Sequence, residues 1–135
     1  MQAYNPKFAK IYNSYFTMYV LRLAPIIESF YATSETANKS KNILDLCCGT
    51  GQLAHTFLEK GYKVLGVDAS ESMLDYARAN TREFRKSGQI EFLRADISNL
   101  GLLGRFGLIT CTYDSINHLD GKYELLACLE NTYKN

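Results

Sequence analysis

From residue 43 onward the chain alternates short apolar runs with amphipathic stretches, and this alternation restricts its architecture more than any other feature. "NILDLCC" is a β-branched and apolar run closing at Gly49, which reads as a buried strand. "GQLAHTFLEKG" then reads as a helix with Leu53, Phe57 and Leu58 inward and Gly61 as its C-terminal stop. "YKVLGVD" is a second strand ending in Asp68. "SESMLDYARANTREFRKSG" follows as a helix N-capped by Ser70, with Met73, Ala77 and Phe84 along one face. "QIEFLRAD" is a third strand, "ISNLGLLGR" is irregular, "FGLITCTYD" is a fourth strand, and "GKYELLACLENTYKN" is a last helix. Such alternation predicts an α/β fold: a parallel sheet with right-handed crossovers and helices on both faces.

The first 42 residues have a different texture. Phe8, Tyr12, Tyr15 and Tyr19 recur at helical spacing, and Phe16, Val20, Leu23, Ile27 and Phe30 do so on a neighbouring face. Pro25 is expected to kink or split this segment, because it removes a backbone donor and disfavours helical geometry at Ala24. "ATSETANKSKN" (32–42) has the composition of a linker or exposed loop. The expected organisation is one domain over 1–135, with a helical cap and linker over 1–42 and an α/β part over 43–135.

In open parallel sheets, ligands lie outside the carboxyl ends of the strands, at the switch point of strand order. Asp45 sits inside the end of the first strand, while Asp68, Asp96 and Asp114 close the other three, so the fold is expected to gather all four around one crevice. Gly49 and Gly51 allow close backbone approach, and the following helix offers unpaired N–H groups. Asp68, 17 residues beyond Gly51, is placed to accept from ribose hydroxyls and to repel a 2′-phosphate. The glycine run fits G-x-G-x-x-A, so an NAD-binding oxidoreductase fragment is one reading. Asp45 argues against it, since a carboxylate before the glycine turn repels pyrophosphate and welcomes an ammonium or sulfonium.

"LDLCCGTGQLA" resembles the glycine-rich first motif of the S-adenosylmethionine-dependent methyltransferases of Rossmann-like fold. "VLGVDASESMLDYAR" is similar to their second motif, "FLRADI" to the third, and "FGLITCTYDSINHL" to the fourth-strand segment, in order, over residues 43 to about 119. The aromatic N-terminal helix resembles the cap of small-molecule and sugar-amine members. The resemblance implies S-adenosyl-L-methionine as cofactor. It implies that Asp45, Gly49 and Gly51 surround the methionine part, and that Asp68 binds the ribose. Ala69 and Met73 would line the adenine or ribose side, Asp96 and the Ile97 backbone would meet the adenine, and Thr112, Tyr113 and Asp114 would lie beneath the sulfonium. Cys47 belongs to the same cofactor-binding set, with Cys48 as a neighbour that packs at the strand end.

Methyl transfer from a sulfonium needs mainly in-line positioning and exclusion of water. A base is required only where the acceptor carries a proton to be lost, and His118, Asp114 and Tyr12 are the candidates, with Asn117, Tyr15 and Tyr19 nearby. After the fourth strand the chain reads "YDSINHL" and not the N/D-P-P-Y/F of amino-methylating adenine and glutamine enzymes. Together with a net charge of +1, this argues for a small-molecule acceptor and against nucleic acid. The four cysteines show no C-x-x-C pair and no His at ligand spacing, so they read as free thiols, no metal is expected, and the location is expected to be cytoplasmic. No apolar run approaches membrane-spanning length. Family members continue beyond the fourth helix with further strands, so the chain is expected to be a truncated, N-terminal portion. A sheet ending at the fourth strand leaves an apolar edge that invites self-association. A non-catalytic interaction module is the remaining alternative.

Overall fold

The computed structural model describes residues 4–37 and 39–135. Residues 1–3 of the expected cap and Asn38 of the expected linker lie outside the described residues. Four parallel strands, β1 (Asn42–Leu46), β2 (Lys63–Asp68), β3 (Ile90–Arg94) and β4 (Leu108–Cys111), form one sheet in the order β3-β2-β1-β4. Among the described residues the six α-helices are α1 (Pro6–Tyr15), α2 (Thr17–Ala32), α3 (Gln52–Glu59), α4 (Glu71–Asn80), α5 (Arg82–Arg85) and α6 (Lys122–Lys134). Strand order reverses between β1 and β4, which opens a crevice at their carboxyl ends.

Side-chain alternation along β1 divides the core. Ile43 faces a cluster with Val64, Ile90, Leu53, Phe57 and Leu58, closed by Val20, Ala24 and Tyr31 of α2. Leu44 and Leu46 face the other way, onto Val67, Ile97, Leu100 and Cys128 of α6. Burying both faces explains why β1 reads as a continuous apolar run. α2 thus shares the first cluster with the sheet.

Several local expectations are corrected. Pro25 lies inside α2 without splitting it, and the break between α1 and α2 falls at Phe16 (φ −100°, ψ 5°). Pro25 and Leu21 both sit on the solvent side, Leu21 being 60% exposed, so water can serve the Leu21 carbonyl that proline leaves without a donor. The break at Phe16 also shifts the helical phase. Tyr15 (77%) is therefore largely exposed, and Phe30 (76%), near the C-terminal end of α2, is exposed as well, although the spacing predicts inward faces. Residues 33–37 and Lys39 form turns, with the buried Tyr31 hydroxyl donating to the Ser40 carbonyl at 2.8 Å. The long helix after β2 breaks at Thr81, whose hydroxyl bonds back to the Ala77 carbonyl at 2.8 Å. Within "ISNLGLLGR", Ile97–Asn99 form a 3-10 turn.

Candidate active site

A cavity of about 260 Å³ opens at the carboxyl ends of the strands. Its first wall grows from the turns after β1 and β2. Gly49 (φ +57°) and Gly51 (φ +79°) adopt left-handed backbone that glycine alone takes without strain. A Cβ at Gly51 would stand 3.0 Å from the Ala77 Cβ, so this glycine lets the turn rest on α4 and does not itself face the cavity. Gly49 does face it. Its N–H donates to Asp68 Oδ2 at 2.9 Å, and Ser70 N–H donates to Oδ1 at 2.9 Å. Burial pushes the Asp68 carboxyl up against the opposing pull of these N–H groups. Two backbone bonds leave further lone pairs on that carboxylate able to accept at the cavity wall.

Asp45 lies deeper. It is 2% exposed, its Oδ1 accepts from the hydroxyl of its register neighbour Thr110 at 2.7 Å, and its Oδ2 is buried without a partner among the described residues. Burial raises its carboxyl to about 7, the Thr110 bond pulling down and the Asp68 charge pushing up. A buried carboxylate oxygen without a donor is unfavourable unless something cationic or protonated meets it.

The second wall comes from the N-terminal segment and the loop after β4. Tyr4, Tyr12, Tyr113, Ser115, His118 and Leu119 line it. Tyr4 hydroxyl and His118 Nε2 are 3.2 Å apart, with their rings edge to face. Tyr113 hydroxyl donates to the Phe16 carbonyl at 2.8 Å, and its ring meets Tyr12 and Tyr19. Burial first, then Tyr113, Tyr4 and the two carboxylates hold the Tyr12 phenol well above its usual range. Cys47, Tyr113 and Asp114 all have positive φ, which concentrates backbone strain at the ends of β1 and β4, beside the cavity. The Cys47 thiol is pushed up by its bond with Cys111 and by burial, so it stays protonated.

Of the residues singled out by sequence, the structure brings Cys47, Gly49, Asp68, Ala69, Met73, Asp96, Ile97 and Tyr113 to the cavity, along with Tyr12 and His118. Gly51, Thr112 and Asp114 are not on its wall, and Asp45 lies buried behind it. The expected ring of four acids is therefore two, Asp68 and Asp96. β3 ends at Arg94, so Asp96 caps the following 3-10 turn, accepting from Ser98 N–H at 2.9 Å. β4 ends at Cys111, and the left-handed turn through Tyr113 carries Asp114 outward to solvent, where it pairs with Asn117. Tyr4, Ser70, Ala95, Ser115 and Leu119 line the cavity without having been assigned to it. Tyr4 was within reach of pattern reading, since it stands four residues ahead of Phe8 and eight ahead of Tyr12.

Residues 43–134 match the model of a family described as a methyltransferase domain. YqeM of Bacillus subtilis is 34% identical over 93 residues, 68% of this chain and 36% of that protein. The dTDP-3-amino-3,6-dideoxy-alpha-D-glucopyranose N,N-dimethyltransferase of Streptomyces fradiae is 34% identical over 92 residues, covering 68% of this chain and 34% of that enzyme. Among solved structures, the glycopeptide N-methyltransferase MtfA complexed with S-adenosyl-L-methionine superposes with a TM-score of 0.65 at 26% identity, over 79% of this chain and 46% of that one. The chain thus spans roughly a third of the length of the curated relatives it matches.

Proposed function

This chain belongs to the methyltransferase-domain family, and from that premise we propose that it forms the cofactor-binding part of an S-adenosylmethionine-dependent methyltransferase serving a small-molecule acceptor. The observation that carries the reading is Asp68, a carboxylate held on the cavity wall by two N–H groups at the carboxyl end of β2. The orphaned Asp45 Oδ2 and the bare Gly49 backbone fit the same cofactor: one offers negative charge to an amino-acid ammonium, the other leaves room for it. Asp68 would accept from the ribose hydroxyls, Asp96 and Ile97 would meet the adenine, and Ala69, Met73 and Cys47 would line the remainder. Gly51 contributes by packing the turn, and Thr112 and Asp114 stand behind Tyr113. When bound, the cofactor supplies an electrophilic methyl group whose leaving thioether is neutral.

The chain's own work is orientation and proton handling. Tyr12, held protonated by burial, is available as a hydrogen-bond donor and not as a base. Asp114, turned to solvent and paired with Asn117, is poorly placed to take a proton inside the cavity. His118 is the base of choice, its Nε2 steered by the Tyr4 hydroxyl. In-line displacement needs the acceptor held against the first wall, and the aromatic second wall provides an apolar, water-excluding surface for it. The free thiols accord with a cytoplasmic location, and no helix among the described residues is long and apolar enough to cross a membrane. β4 pairs only with β1 among the described residues, so self-association along its free edge belongs to the same reading.

Calorimetric titration with S-adenosylmethionine, S-adenosylhomocysteine and NAD tests the assignment. The first two should bind, and Asp68→Ala should weaken them by about 1–3 kcal/mol, the loss of a charge-assisted hydrogen bond. NAD binding without the others would transfer the chain to the oxidoreductase reading. Stable association with no ligand binding would transfer it to the interaction-module reading. With an acceptor in hand, His118→Ala should lower turnover by roughly 10²–10⁴-fold if the methylated group loses a proton, and little if it does not.

A further inference from the structure

Away from the cavity, on the far side of the glycine turn, three amide side chains meet. Asn13 Oδ1 accepts from Gln52 Nε2 at 2.9 Å and from Asn80 Nδ2 at 2.7 Å. Asn80 Nδ2 also reaches the Thr50 carbonyl at 2.8 Å, and the Thr50 hydroxyl donates to Gln52 Oε1. Thr50 and Gln52 flank Gly51, so a single oxygen on α1 gathers the turn that follows β1 and the end of α4. Its sequence neighbour Tyr12 faces the cavity, with Cε1 3.5 Å from where a Gly49 Cβ would stand.

The helix that carries Asn13 has little else to hold it. Ala9 is the one fully buried residue of α1, and a ten-residue helix is marginal on its own. Polar ties therefore set its docking: Asn13 at one end of α4, and Ser70 Oγ donating to the Tyr4 carbonyl at 2.8 Å at the other. Anything that orders the glycine turn strengthens the seat of α1, and the reverse holds by linkage.

We propose that Asn13 is a positioning residue that clamps α1 to the glycine turn, seats Tyr12 over Gly49, and couples closure of the aromatic wall to occupancy of the cavity. The coupling rests on the cofactor reading above. Asn13 acts as a double acceptor, a role that a carboxylate repeats and an aliphatic chain cannot.

The experiment compares the full chain with Asn13→Leu and Asn13→Asp. The readouts are S-adenosylhomocysteine affinity by calorimetry and backbone hydrogen exchange over residues 6–15, with and without that ligand. Asn13→Leu should weaken the ligand roughly tenfold and speed exchange of α1, while Asn13→Asp should stay within about threefold of wild type. A general loss of folding would accelerate exchange in β1 and β2 as well, and the Asp variant distinguishes lost packing from a lost acceptor. Wild-type affinity in Asn13→Leu, or equal failure of both variants, overturns the proposal. A wild-type chain that binds no S-adenosylhomocysteine overturns the cofactor reading itself and the coupling with it.

Discussion

The two walls of the cavity are held by different physics. The first, around Gly49, Asp68 and Met73, is backbone: parallel strands in register, left-handed glycines, and N–H groups closing on one carboxylate. The second, around Tyr4, Tyr12, Tyr113 and His118, is a set of side-chain tips meeting edge to face, with one hydroxyl bond to a helix break. A wall of backbone cannot change shape without unfolding, whereas a wall of aromatic tips can repack. The first suits the invariant part of a reaction and the second suits a ligand that varies.

The sharpest way to break this contrast is at Gly51. Valine there would meet Ala77 and force a β-branched residue to φ +79°. Destabilisation of about 3–5 kcal/mol is expected in urea unfolding, from overpacking and backbone strain together. A loss under about 1 kcal/mol would mean that the first wall is as adaptable as the second.

The next effect is electrostatic and belongs to the first wall. Folding raises the Asp45 carboxyl from 3.8 to about 7. Between those values the folded chain keeps a proton that the unfolded chain has lost, so stability falls as pH rises through that window. Asp68, also raised by burial, acts in the same sense. Wild type should lose about 2–3 kcal/mol between pH 4.5 and 7.5, and Asp45→Asn should flatten that slope. The same substitution should cost cofactor affinity, which would mark Asp45 as a group kept for binding at the expense of stability. An unchanged slope in Asp45→Asn would assign the dependence elsewhere.

On the second wall, Tyr113→Phe removes the hydroxyl bond to Phe16 and leaves the ring contacts in place. The expected loss is about 1 kcal/mol, read as a lower unfolding midpoint at unchanged m-value. An effect as large as that at Gly51 would erase the distinction between the walls.

The same division governs what could be read from sequence. The first wall is local: strand, glycine turn, helix and an acid 17 residues on are all adjacent in the chain, so spacing delivers Gly49 and Asp68, and the family resemblance adds Met73. The second wall is assembled across the fold. Tyr4 and His118 lie 114 residues apart and Asn13 and Asn80 lie 67 apart, and no periodicity reports such meetings. Asp114 was misplaced by the same limit. Its position after β4 is local, but the pair of left-handed residues that turns it outward carries no glycine to announce itself. Pro25 is the converse case, a strong local signal overridden because the Leu21 carbonyl it leaves unpaired can face water.

The smallest effect is expected where neither wall is involved. On α6, Tyr123, Leu126, Leu129 and Tyr133 are exposed, the last at 93%. An apolar side chain that is exposed in both folded and unfolded states contributes almost nothing to stability, so Tyr133→Ser should stay within about 0.5 kcal/mol of wild type in dilute solution. That null result has a concentration dependence built into it. If copies of the chain associate through this apolar face of α6, it leaves water on assembly. Wild type should then sediment as a larger species and melt higher as concentration rises, and Tyr133→Ser should weaken both trends. Equal, concentration-independent sedimentation of the two proteins would remove self-association from the reading and leave both cavity walls as they stand.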